Sequence, residues 1–333
     1  MQNQSAARGA RLRAALLGIM LGAVATTAAM AADTDAYPSR PLTIVVPSVA
    51  GNVNDAVARL IGQELTKTWN QPVIVENKPG AGTTTGTKYV ARADKDGYTV
   101  LLTFTAHVQN PSLYQRIGYD PIADFAPVSE VAVSYTVLAV SSDFPARTLK
   151  DVVALVKANP GKYPYGSYGA GTTGHILGEL FKREAGLDMT HVAYKGGAPL
   201  VTDLAAGHVK IGLVPVGTAM SLLQSGKIIP IALAGAERST LLPNVPTFRE
   251  AGYKGFEPDA WMGLMFPAGV PKARVDALSR EVARIVRMPE VSKRMRDLNL
   301  VPVGNSPEAF AAVMKSDQEK WSRIIRDVGI AME

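Results

Sequence analysis

Chemistry in this chain would have to come from hydroxyls and exposed amides. The stretch YGSYGAGTTGH at 165–175 sets Ser167, Tyr168, Thr172 and Thr173 among Gly166, Gly169, Gly171 and Gly174. Glycines leave backbone N–H groups accessible, and a helix is expected to begin near Thr173 or Gly174. The free N–H groups and positive dipole end of a helix attract an anion without any cationic side chain. The anion is not a nucleotide phosphate. A phosphate loop needs Lys and then Ser/Thr after its second glycine, and His175 and Ile176 stand there. The dinucleotide fingerprint needs GxGxxG after a strand, and here the order is GxxGxG. A carboxylate is the better guest. The plainer alternative is that Thr172 or Thr173 only caps the helix.

The same design recurs. PSVAGNVND at 47–55 offers Ser48, Ala50, Gly51 and Asn52, and FTAHVQNP at 104–111 follows Thr103 with Thr105 and His107. VPVGTA at 214–219 offers Thr218. Trp261 and Tyr168 either pack on a ligand or serve as hinge and core aromatics. Catalytic and metal readings find little support. There is no GxSxG elbow, and His107, His175, His191 and His208 lack HExxH spacing. With no cysteine, disulfides, thiol nucleophiles and iron–sulfur clusters are excluded. Asp94 and Asp96 read as a solvated turn and Lys195 as a loop or rim residue. The expectation is no catalytic residue, no metal and no cofactor.

These loops must be held by regular elements. LTIVVP (42–47), PVIVE (72–76) and YTVLLTF (98–104) read as strands, and helical spacing of Val57, Leu60, Ile61 and Leu65 follows the first. Asp55 is a candidate N-cap or first-turn acid. The alternation predicts an α/β fold on mostly parallel sheets. A β-rich run at 126–143 exceeds a usual strand and could cross between two lobes. The pattern then restarts through 148–235, and AWMGLMFPAG at 260–269 is a candidate return crossing. Two helices are expected to close the chain, with apolar stripes at Val275, Leu278, Val282, Ile285 and at Phe310, Val313, Met314, Trp321, Ile324, Ile325. Ligands of open α/β sheets sit off the carboxyl ends of strands, so the strand-exit loops are the candidate site.

The 333 residues fit about two domains. Residues 1–31 read as a secretory signal peptide: basic Arg8, Arg11 and Arg13, a short apolar run at 14–25, and AMA at 29–31. That leader carries three arginines and no other charge, so removing it lowers the net charge from +6 to +3. No basic cluster with interleaved aromatics points to nucleic acid.

Several longer stretches resemble a known family: YPSRPLTIVVPSVAGNVNDAVARLIGQEL, QPVIVENKPGAGTTTGTKYVARADKDGYTVLL, AYKGGAPLVTDLAAGHV and LPNVPTFREAGYKGFEPDAWMGLMFPAGVPK. They are similar, from about Tyr37 onward, to the Bug-type extracytoplasmic solute receptors of tripartite tricarboxylate transporters. The resemblance implies a type II periplasmic-binding-protein fold, two lobes joined by two crossing strands around a ligand cleft. Lobe 1 would comprise 37–135 with 262–333, and lobe 2 136–261. It implies a monomeric periplasmic protein that captures a di- or tricarboxylate or aromatic acid and serves a membrane permease of two subunits. A hydrolase-like enzyme using the same cleft, or a receptor for a signalling partner, are the alternatives. The family's P-x-x-x-G-G-x-x-D element is matched by Pro47, Gly51 and Asp55, with Asn52 in place of the second glycine. Ser167, Gly169, Gly171, Thr172 and His175 match its S-x-G-x-G-[ST]-x-x-H element. Its F-D-N-x-P-S element is here Leu213-Val214-Pro215-Val216-Gly217-Thr218, without acid or amide. That loss disfavours an amino-acid ligand and favours a plain or aromatic carboxylate.

Overall fold

Strand formers and helix formers alternate along the chain, and the fold follows that alternation into two separate sheets. The computed structural model describes residues 37–257 and 260–332; the leader expected at 1–31 lies outside them. By contacts the chain divides into a leading unit, Met1–Ser39, and one main unit, Arg40–Glu333. All that follows concerns the main unit.

Its first part runs β1 (Leu42–Val46), α1 (Val53–Trp69), β2 (Val73–Asn77), a 3-10 turn (Ala81–Thr83), α2 (Thr84–Ala91), β3 (Thr99–Phe104), α3 (Ala106–Leu113) and β4 (Phe125–Ser134). The middle part runs β5 (Thr136–Ser141), α4 (Leu149–Lys157), β6 (Tyr165–Ser167), α5 (Thr173–Ala185), β7 (His191–Ala193), α6 (Gly197–Ala206), β8 (Ile211–Pro215), α7 (Val216–Gln224) and β9 (Ile228–Ala234). The last part is β10 (Ala260–Pro267), α8 (Lys272–Val286), α9 (Pro289–Asp297), β11 (Val301–Pro302) and α10 (Pro307–Val328). The first sheet has the order β11-β4-β10-β3-β1-β2, and the second β7-β6-β8-β5-β9.

Two expectations are corrected and one takes a more definite form. The run at 126–143 does pass from one sheet to the other, as two strands broken at Tyr135: β4 pairs with β10 and β11, while β5 pairs with β8 and β9. The sheets are mixed rather than mostly parallel. β1 with β2 and β3, and β6 with β7 and β8, are parallel, whereas β10 and β5 run antiparallel to both their neighbours. β5 is the strand by which the chain enters the second sheet, and β10 the strand by which it returns to the first. Three helices, not two, follow β10. The extra one, α9, is strongly charged and buries only Val291 and Met295.

The apolar stripes of α8 and α10 face the core as expected, with Val313 only half-buried. Ser306 caps α10 by accepting from the Ala309 N–H at 3.2 Å, Pro307 opens it, and Gly329 ends it in the left-handed conformation. Phe310 and Trp321 of this helix are fully buried, each contributing roughly 2–3 kcal/mol of apolar burial. The same buried stripe contains one carboxylate, Asp317.

Candidate functional site

Strands that run parallel and are each followed by a helix bring the helix starts to one end of their sheet. Here the starts following β1, β3, β6 and β8 meet around one cavity of about 390 Å³, a volume suited to a small molecule. Its lining includes Val53 and Asn54 from the first turn of α1, Thr105 and Ala106 at the start of α3, Thr172 and Thr173 at the start of α5, and Pro215 just before α7. Four positive dipole ends therefore converge, two from each sheet's side. Among the described residues, no charged side chain and no histidine lines the cavity. It can hold an anion by amides, hydroxyls and dipoles, and among the described residues its lining has no side chain suited to act as general base at neutral pH.

The loop from β6 to α5 is built from within. Gly169 and Gly171 adopt positive φ (145° and 71°), which a side chain would strain. The Ser167 hydroxyl is fully buried, 2.7 Å from His191 Nε2, and donates to Gly169 O. The Gly171 N–H donates to His175 Nδ1 at 3.1 Å, which places the proton of the neutral ring on Nε2. His175 and His191 stack at 3.9 Å. Burial, and then the neighbouring His175, push His191 down to about 4. Burial lowers His175 as well, so the neutral support persists through neutral pH.

Thr172 occupies the N-cap position of α5, yet its side chain makes no capping bond; its hydroxyl donates to Gly169 O at 2.7 Å. The simple capping reading therefore fails for Thr172. The Tyr168 hydroxyl instead meets the Gly174 N–H, and burial raises its pKa. The Thr172 hydroxyl proton is committed to the loop, so this residue shapes the anion site rather than donating to it. Thr172→Val is expected to weaken carboxylate binding about three- to tenfold, as loss of one hydrogen bond does, with the fold intact. Calorimetric titration checks it, and unchanged affinity would leave this loop a structural turn.

The loop from β1 to α1 is held differently. Asn52 caps α1 by accepting from the Asp55 N–H at 3.0 Å, and Asp55 Oδ2 accepts from both the Gly51 N–H and Arg59 Nε. The Arg59 guanidinium holds the Asp55 carboxyl below its usual range. Asp55 is thus a first-turn latch. Ser48 Oγ and Asn54 Oδ1, both on cavity-lining residues, are buried and have no hydrogen-bond partner among the described residues. Such groups are costly unless something satisfies them.

The floor is formed where β10 returns. Thr105 Oγ1 accepts from the Trp261 N–H at 2.8 Å, and Thr105 N donates to Trp261 O at 3.2 Å. The indole Nε1 donates to Asp317 Oδ2 at 3.1 Å. Gln109 on α3 donates to Thr173 Oγ1 on α5 at 3.1 Å, a direct bond between the two sides of the cavity.

Of the residues singled out by sequence, Ser48, Thr105, Tyr168, Gly171, Thr172, Thr173 and Trp261 line the cavity together. The others do not. Ala50 and Gly51 are exposed, and Asn52 is spent on its cap. Ser167 and Gly169 support the loop from behind, and Thr103 lies fully buried within β3. His107 is corrected outright. It stacks on Tyr119, meets Phe125 edge-on and donates from Nε2 to Pro121 O at 2.8 Å, and burial pushes it down to about 4. Thr218 is exposed, with its hydroxyl against Gly197. Residues that sequence reasoning missed are Asn54, Gln109, Asn110, Tyr114, Tyr135 and Pro215, all in the lining. A helical reading of 104–111 would have found Gln109. On α3, Thr105 and Gln109 share a face and His107 takes the opposite one.

The tripartite tricarboxylate transporter family receptor profile matches residues 57–330. Three solved structures are similar over most of the chain. The periplasmic binding protein BugD is 34% identical with a TM-score of 0.75, covering 89% of this chain and 100% of that one. Rpa4515 of R. palustris with adipate is 32% identical with a TM-score of 0.78, covering 89% and 100%. MatC of Rhodopseudomonas palustris with bound malate is 31% identical with a TM-score of 0.74, covering 87% and 100%.

Proposed function

The chain belongs to the tripartite tricarboxylate transporter receptor family, and from that premise we propose that it is a periplasmic solute-binding protein whose cleft captures a small carboxylate. One observation carries this reading: several helix starts converge on a cavity that no charged side chain lines among the described residues, with the Ser48 hydroxyl buried and unpartnered at its wall. A carboxylate supplies acceptors for free N–H groups and hydroxyls, and the converging dipoles stabilise its charge. Relatives with adipate and malate in their structures support the same class. In this reading the protein binds, closes and delivers its ligand to a membrane permease of two subunits, with no bond made or broken.

The ligand carries no ammonium group. Pro215 lines the cavity where the family motif has an amide, and Val214, at the acidic position, is fully buried. At these two positions no carboxylate or side-chain amide is left to pair with a cation. Tyr135, Tyr168, Trp261 and Phe104 surround the space, which suits a dicarboxylate with an apolar spacer or an aromatic acid. A thermal-shift panel of adipate, malate, citrate, benzoate and amino acids tests this. Stabilisation by one or more acids without an ammonium group is expected; a shift confined to amino acids would sink it.

A further inference from the structure

We propose that Asp317, on the C-terminal helix, is a positioning residue that sets the Trp261 indole as the floor of the ligand cleft. The proposal rests on the cleft being the ligand site. Trp261 belongs to the cleft lining and is 1% exposed, with its indole packed into the core behind that wall. Its orientation is fixed from three directions. Backbone bonds tie it to Thr105, the Phe310 ring meets it edge-on at 5.2 Å and 84°, and the indole N–H donates to Asp317 Oδ2 at 3.1 Å. The last of these is the polar contact of the indole N–H, and it ties that edge to α10.

Asp317 stands where an aliphatic residue belongs. It occupies the buried stripe of α10 between Met314 and Trp321 and is 5% exposed. Among the described residues, the hydrogen bond it receives from another side chain is that of Trp261, and no ion pair neutralises it. Burial raises its pKa to about 6, with Lys320 opposing. A carboxylate placed so costs stability, and residues that break a local rule at such cost concentrate at functional sites. Several charged groups on packed elements are engaged elsewhere. Glu130 on β4 is held by Asn305, Glu179 on α5 by Lys182 and Tyr165, Arg183 by Asp327, and Arg284 on α8 by Glu281. His107 on α3 is bonded to Pro121 O. His175 on α5 accepts from the Gly171 N–H and is lowered by burial, so a titration seen at Trp261 is assigned to Asp317 by its loss in Asp317→Asn.

The test uses the full mature chain with Asp317→Asn and Asp317→Leu. Asn keeps an oxygen acceptor for the indole and removes the charge; Leu removes both. The nitrogen-15 indole signal of Trp261, assigned with Trp261→Phe, is followed from pH 4.5 to 8. Adipate, malate and benzoate are the binding probes. In the parent the indole signal is expected to titrate with a midpoint near 6. In Asp317→Asn it should be flat, with affinity within threefold of the parent. In Asp317→Leu it should shift and broaden, with affinity lowered at least tenfold. Parental binding in the Leu variant with an unmoved indole signal overturns the proposal. An indole signal that titrates identically in the parent and in Asp317→Asn also overturns it. If no probe binds the parent, the functional reading fails instead, and the indole signals in the parent and both variants still decide whether Asp317 positions Trp261.

Discussion

Thr172→Asp is expected to abolish carboxylate binding while raising the melting temperature. Thr172 is the N-cap of α5, but its hydroxyl is turned to Gly169 O and makes no capping bond. Asp is among the best N-cap residues, and its carboxylate also favours the positive dipole end. The two effects together are worth about 0.5–1.5 kcal/mol of stability. The same carboxylate would take the N–H groups proposed for the ligand and place a second negative charge beside it. Two unit charges about 4 Å apart repel by about 4 kcal/mol at an effective dielectric of 20. Affinity should therefore fall at least roughly 100-fold. Thr172→Asn separates the causes, since it caps without charge and should lose less. Calorimetric titration and a melting curve on the same samples check both halves. A stabilised variant that still binds carboxylate at parental affinity would move the anion away from this helix.

The second large effect lies in pH and stability. Asp317 has an ordinary pKa of 3.8 when unfolded, and burial raises it to about 6 in the folded chain. Between those values the folded state holds the proton and the unfolded state does not. The neutral acid's contribution is thus fully present below pH 3.8 and is lost as pH rises through 6. The difference of about two units corresponds to a penalty on the order of 3 kcal/mol at neutral pH. Asp317→Asn retains an acceptor for the indole without that penalty. Its melting temperature at pH 7.5 should exceed the parent's by several degrees, roughly 4–8 °C for a chain of this size. The gap should close below pH 4. A gap that stays constant across that range would mean the carboxylate is not desolvated in the folded protein.

The elements were mostly legible because their signals are local. The spacing of Val57, Leu60, Ile61 and Leu65 marks one helix face, and all four are buried. The glycines of 165–175 read as a loop before a helix, and α5 begins at Thr173. The α3 helix was not legible, because Pro111 inside it and its weak amphipathic pattern hide the periodicity. With α3 unread, His107 looked like a site residue and Gln109 was overlooked. The split at Tyr135 was equally hidden, since 126–143 is apolar on both sides of the break.

The sequence by itself determined the family this protein resembles. The absence of cysteine, of a phosphate-loop signature and of GxSxG and HExxH spacing is read directly in one dimension. The small-donor loops after strands are written as residue types at fixed offsets, so they too could be read directly. Tertiary structure alone decided which of those donors share a space. Ser48, Thr105, Thr172 and Trp261 come from four distant segments, and only the pairing of β10 with β3 and the bond between Gln109 and Thr173 bring them around one cavity. Direction and burial were decided the same way. A hydroxyl that looks free in sequence, as at Ser167 or Thr172, is committed or available according to partners that the fold supplies.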